Sequence, residues 1–269
     1  MPKSPVFIVG SPRSGTSVLV AALSKVGYQG YREGNFLPLM MTLEKAIDRF
    51  FSVVGKKNPN VLAAHVDPAL LKHRIEDLFK ELTDGLNTGP LWFDKSGNHE
   101  MIRAIPILRR LWPESVFIFA KRRAIENVLS RMKKFPRRDF EYHCEDWARN
   151  MSAWREVRSQ LPAGVYIEVD QQDLLRQTDS VCARISGLLE LPPGQAQALA
   201  KTFTSARPQE STKGSAAQTY PLESVGWSQA QLAIFKKHCE PEMQAYGYGL
   251  GSEYTEALAA GAERVCQQS

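Results

Sequence analysis

The sequence predicts an α/β fold with a mostly parallel central sheet, on three observations. Short, continuously apolar runs have the length of strands, helical periodicity fills the intervals between them, and a glycine turn joins the first run to the first helix. Residues 6–10 (Val-Phe-Ile-Val-Gly) read as a strand covered on both faces and ended by its glycine. Residues 15–26 read as a helix with Val18, Leu19, Ala22, Leu23 and Val26 on one face, so the first 26 residues are half of a βαβ unit. Further strands are expected at 91–93, 115–120 and 165–169. Helical patterns occupy 37–54, 68–83, 99–112, 124–133 and 141–160, and continue at 171–191 and 228–246. No strand pattern interrupts 37–89, which reads as a helical insertion over the sheet. The Ser-, Lys- and Gly-rich stretch 205–218 reads as a mobile loop, and 252–269 as a peripheral tail, helical after Gly251.

Composition narrows the function classes. The chain has 269 residues, 43% hydrophobic and 23% charged, which excludes a disordered chain, a collagen or a coiled coil. One α/β domain reaches about 250–300 residues, so 1–269 is expected to fold as a single domain. No run approaches the ~18–20 apolar residues that span a bilayer. The net charge is +5, with the densest basic interval at 121–138. Lys133, Lys134, Arg137 and Arg138 lie there beside Phe135 and Phe140, but a nucleic-acid binder carries its charge in one dominant stripe. A solvated or substrate-steering face fits better, and a small polyanion suits the overall charge. The four cysteines, Cys144, Cys182, Cys239 and Cys266, form no CxxC pair, which argues for reduced thiols and against zinc. The five histidines are scattered, and no metal is expected. The N-terminus lacks a signal-peptide pattern, so a cytoplasmic protein without a membrane span is expected.

The chemistry starts at Gly10. The eight residues Gly10, Ser11, Pro12, Arg13, Ser14, Gly15, Thr16 and Ser17 follow a strand and open a helix with GxxxxG spacing. Such a turn points backbone N–H groups inward and places a helix N-terminus behind them, a cradle for a phosphate. Thr16 and Ser17 add hydroxyl donors. A Walker A loop continues with Gly-Lys-Ser/Thr; here Gly15 is followed by Thr16, and the cation, Arg13, comes earlier in the loop. Phosphate binding is expected, but not in the manner of an ATPase.

The run from Pro12 to Ser17 after an apolar strand resembles the 5′-phosphosulfate loop of sulfotransferases that use 3′-phosphoadenosine 5′-phosphosulfate (PAPS). Arg before Ser-Gly-Thr is similar to the tyrosylprotein and bacterial branches; the cytosolic steroid and phenol branch typically has Lys there. The resemblance implies a P-loop-like three-layer sandwich. A second match is Arg122, after the strand at 115–120, with Ser130 eight positions on, the family's 3′-phosphate pair; such a site needs a fixed cation and a hydroxyl donor. A third is Lys95 after the strand at 91–93, which implies contact with the transferring sulfuryl group or the leaving oxygen. A fourth is Glu33, 20 residues after Arg13 in a glycine-rich turn, which implies a general base; His99 is the second candidate. The ordered motifs span about 5–133. Beyond them Lys213, between Thr212 and Gly214, looks like the C-terminal segment that closes on the nucleotide.

The resemblance implies in-line transfer of the sulfuryl group of PAPS to a hydroxyl of a small molecule, lipid or glycan, in a bacterial enzyme without a metal. Glu33 takes the acceptor proton, and Arg13 and Lys95 stabilise charge. Arg13, Ser14, Gly15, Thr16, Ser17, Arg122, Ser130 and Lys213 bind the nucleotide. The insertion 37–89 is expected to contribute to the acceptor site. The alternatives are a P-loop nucleotide or nucleoside kinase with a degenerate phosphate loop, and a binding protein that has lost activity.

Overall fold

The apolar run that opens the chain becomes the central strand. In the computed structural model, which describes residues 5–54, 58–87, 89–205 and 218–255, Val6–Gly10 (β1) is buried along its whole length. It pairs with Trp92–Ser96 (β3) on one side and Val116–Lys121 (β4) on the other. Gln29–Tyr31 (β2) extends the β3 edge, and Tyr166–Asp170 (β5) extends the β4 edge. The order is β2-β3-β1-β4-β5 and each of these pairings is parallel, so the α/β class and the parallel sheet are as expected.

Alternation along the strands creates two cores. Phe7, Val9, Phe117 and Phe119 face His99–Arg103 (α4), Ile105–Leu111 (α5), Ala124–Lys134 (α6), Phe140–Arg158 (α7) and Gln229–Ala245 (α11). Ile8, Ile118 and Ala120 face Thr16–Lys25 (α1), Asp173–Arg176 (α8), Thr178–Leu188 (α9) and Pro193–Ser205 (α10). The first core is strongly aromatic. Phe7 meets Trp92, Trp112 and Phe117 at centroid distances of 5.8, 5.8 and 5.4 Å, and Phe119 stacks on Trp154 at 4.6 Å. Truncating a ring in such a cluster costs about 3–5 kcal/mol.

The insertion at 37–89 is helical, with Pro38–Val53 (α2), a 3-10 turn at Leu62–His65 and Pro68–Leu86 (α3), and no strand among its described residues. Phe36 stacks on Phe79 at 4.7 Å, and Arg110 donates to both oxygens of the buried Glu76, tying α3 to α5. No described helix is long and apolar enough to cross a membrane.

Four expectations need correction. The helix at 99–112 is two helices, because Pro106 carries no N–H and starts a new one after Ala104. The helix at 171–191 breaks at Gln177, whose φ of −131° leaves the helical region. β2 and α10 were not foreseen: β2 is exposed and lacks apolar alternation, whereas Pro193 and the Leu199/Phe203 spacing do mark α10. No helix follows Gly251 in the described part of the tail, residues 252–255. Its described part bends back through a Tyr248–Thr255 antiparallel bridge, and Tyr254 hydrogen-bonds inside the fold. Most of 205–218, and 256–269, lie outside the described residues.

Candidate active site

The candidate residues gather at the C-terminal ends of β1, β3 and β4. The helix after β1 covers one face of the sheet and the helices after β3 and β4 cover the other, the place where parallel sheets open a crevice. Gly10 starts the loop with φ +133°; a Cβ there would lie 2.1 Å from the carbonyl oxygen of Ala120. Only glycine permits β1 and β4 to approach this closely while the chain turns. At the far end of the loop Gly15 caps α1, and no side chain caps that helix. Its first N–H groups are therefore presented to an anion.

Helix α6 holds the loop from beneath. Asn127 Nδ2 donates to the Pro12 carbonyl and to Ser14 Oγ, both at 3.0 Å. Arg131 donates to Ser11 Oγ at 3.2 Å and pairs with Asp146 at 2.7 Å. Ser14 is fully buried and engaged by Asn127, whereas Gly15 and Ser17 retain partial exposure. Arg123, Asn127 and Arg131 lie four residues apart on the buried face of α6. Sequence reasoning missed all three, although their spacing is visible, because buried polar residues read as a solvated face.

Arg13 adopts φ +73° and its Nε donates to Ser130 Oγ at 2.9 Å. Arg122 Nη1 approaches the Arg13 carbonyl at 3.4 Å, and its Nε is buried without a partner. The loop, Arg122 and Ser130 thus converge. Burial lowers the pKa of both arginines, and the neighbouring Arg122 lowers Arg13 further. Two guanidinium groups held together in this way are relieved by an anion placed between them.

A second group forms at β3, which runs to Ser96 and so carries Lys95 inside the strand rather than after it. Lys95 Nζ meets Glu33 Oε1 at 2.5 Å, with the lysine side chain 5% exposed and the glutamate 66%. The turn bearing Glu33 is fastened to β3 by Gly34 N–H to the Lys95 carbonyl at 2.9 Å and Asn35 N–H to Ser96 Oγ at 3.1 Å. Gly34 has no room for a side chain, since a Cβ would stand 1.8 Å from Asp94 Oδ2. Burial pushes the Asp94 carboxyl up to about 6, against the opposing effects of its Ser96 hydrogen bond and of Lys95.

His99 makes no hydrogen bond to Glu33 or Lys95 among the described residues. Its Nε2 lies 3.0 Å from Glu100, its Nδ1 is buried without a partner, and burial lowers its pKa. Lys213 lies outside the described residues. Glu141, Glu145 and His238 come together on the surface, where Lys237 and His238 pair with Glu141 and Arg149 pairs with Glu145.

A model of the Sulfotransferase family matches residues 5–194. Among solved structures, a sulfotransferase from Mycobacterium avium aligns with 14% identity over 90% of this chain and 77% of its own, at a TM-score of 0.53. A retinol dehydratase in complex with androsterone and inactive cofactor PAP aligns with 12% identity over 91% and 82%, at 0.49. The sulfotransferase domain of a Synechococcus olefin synthase aligns with 17% identity over 88% and 94%, at 0.48. A search of curated proteins gives no sequence match. The family match begins just ahead of β1, runs through the glycine loop and all five strands and covers well over half of the 269 residues, and on that ground the chain belongs to the sulfotransferase family.

Proposed function

We propose that this protein transfers the sulfuryl group of PAPS to a hydroxyl acceptor, with Glu33 as the base. One observation carries the reading: the glycine loop, Arg13, Arg122 and Ser130 converge at the end of β1, where the buried, unpartnered Nε of Arg122 suits an anionic ligand. A 3′-phosphate beside Arg122 and Ser130 and a 5′-phosphosulfate in the loop fit these donors. When bound, PAPS supplies an activated sulfuryl group and a bisphosphate leaving group.

The residues divide the work by position. The α1 N-terminus, Gly15, Thr16 and Ser17 hold the phosphosulfate end, and Arg122 with Ser130 holds the 3′ end. Glu33 faces solvent and Lys95 lies inside. An arriving hydroxyl therefore meets the carboxylate first and gives up its proton there as its oxygen forms the new bond to sulfur. Lys95 and Arg13 offset the charge that builds on the sulfuryl and departing oxygens as the old sulfur–oxygen bond breaks. By analogy with phosphoryl transfer the transition state is loose, so positioning and fixed charge carry the rate.

Calorimetric titration with adenosine 3′,5′-bisphosphate tests the reading, with AMP and ATP·Mg as controls. Tight binding of the bisphosphate and much weaker binding of the controls is the expected result. Equal affinity for AMP would remove the 3′-phosphate role of Arg122 and Ser130, and preferential ATP·Mg binding would favour a kinase.

A further inference from the structure

We propose that the acceptor carries an anionic group, held by Lys134, Arg137 and Arg138 in a cavity next to the glycine loop; this deepens the sulfuryl-transfer reading and rests on it. The cavity has a volume of about 510 Å³, within the ~300–1,000 Å³ usual for small-molecule sites. Pro12 of the loop and Asn98 form one wall, and the chain from Lys134 to Arg138 forms the other. Between them Gly97, two residues beyond Lys95, packs so closely on the loop that a Cβ would stand 3.3 Å from the Pro12 ring. The cavity therefore adjoins both the phosphate cradle and the end of β3.

Its charge is unbalanced. Arg131 is matched by Asp146 at 2.7 Å, but Lys134, Arg137 and Arg138 have no carboxylate partner among the described residues. Arg138 lies over the Tyr142 ring at 4.8 Å, which fixes its direction. The helix dipole explains part of this: Lys133 and Lys134 end α6, where cations are favoured. It cannot explain Arg137 and Arg138, which precede the Asp139 cap of α7, the end of a helix that disfavours cations. Asp139 and Glu141 lie at that same helix end, yet neither arginine forms an ion pair with them among the described residues, and unpaired cations beside a cavity are accounted for by an anion that enters it. Phe135, Pro136 and Tyr142 give the same cavity an apolar lining, suited to a ring or short chain between the anion and the hydroxyl. The described residues of 37–89 contribute nothing to this lining.

The probes are para-hydroxyphenylacetate and its neutral methyl ester, titrated by ligand-observed NMR. The protein is used both free and saturated with adenosine 3′,5′-bisphosphate, so that binding in the nucleotide cradle is separated from binding in the cavity. The carboxylate is expected to bind about tenfold tighter than the ester to the saturated protein, the order given by two partly exposed charge contacts. The exposed double variant Lys134→Gln/Arg137→Gln is expected to abolish this preference while its bisphosphate affinity stays unchanged. Lys25→Gln/Lys236→Gln removes the same net charge outside the cavity and is expected to keep the preference. Equal binding of the two probes, no binding of either, or a preference that survives in Lys134→Gln/Arg137→Gln would overturn the proposal. Failure of the sulfuryl-transfer reading shows separately, as loss of bisphosphate selectivity in calorimetry, and the titration of free protein still reports on the cavity.

Discussion

Burial separates the two partners of the Glu33–Lys95 ion pair. The lysine is enclosed by β3 and its neighbours, and the glutamate stands at the surface on a turn held by two backbone N–H bonds. The turn that carries the carboxylate is thus held by the backbone, and a substitution of the side chain there should change chemistry more than fold. Glu33→Gln is expected to lower kcat for sulfuryl transfer from PAPS to a phenolic acceptor by roughly 10²–10⁴, with bisphosphate affinity by calorimetry unchanged. A kcat near wild type would move the base elsewhere, His99 first. Glu33 comes forward only through the family resemblance, which rests on its distance from Arg13 and the glycines around it. The reason for Gly34 was not legible, because the close approach of Asp94 exists only once β2 and β3 have paired.

Among the elements, the strands that were easiest to read are those with helices on both faces. β1 and β4 appear as apolar runs because burial on two sides demands it. β2 is held by backbone pairing to β3 and by little else, so its sequence carries no apolar period. Helix α6 has a different difficulty. Arg122 and Ser130 could be found by their spacing, but the residue between them that grips the loop, Asn127, is a buried amide on a helix face that sequence alone reads as wet. Asn127→Ala would leave the Pro12 carbonyl and Ser14 Oγ without their shared donor. The expected cost is about 1–3 kcal/mol of stability in urea unfolding, together with weaker bisphosphate binding as the loop loses its support. Unchanged values of both would show that the loop holds its shape without α6.

At the scale of the whole molecule, the two successive arginines after β4 serve opposite ends of the chain. Arg122 turns to the glycine loop. Arg123, fully buried, pairs with Glu126 and donates to the carbonyls of Tyr220, Gly249, Gly251 and Glu253 at 2.9, 3.0, 2.9 and 3.0 Å. Its backbone N–H reaches Tyr254 Oη at 2.9 Å, and that hydroxyl donates to Asp170 at the end of β5 at 2.8 Å. Tyr248 donates to the other Asp170 oxygen at 2.5 Å. One guanidinium thus fastens two C-terminal segments across the ends of β4 and β5, next to the proposed nucleotide site. Removing it strands the Glu126 carboxylate in the interior, a loss of about 3–5 kcal/mol. For a chain of this size each kcal/mol lowers Tm by roughly 2–4 °C, so Arg123→Met is expected to melt at least several degrees below wild type. Tyr254→Phe removes only the hydroxyl and is expected to cost about 1–2 kcal/mol, which keeps the idea testable if Arg123→Met fails to fold. Both variants should bind adenosine 3′,5′-bisphosphate more weakly, because the wall beside Arg122 loosens. In Arg123→Met/Glu126→Leu the stranded carboxylate is gone while the strap remains unfastened. Part of the stability should then return without the affinity, whereas recovery of both together would mean that the strap has no part in the site.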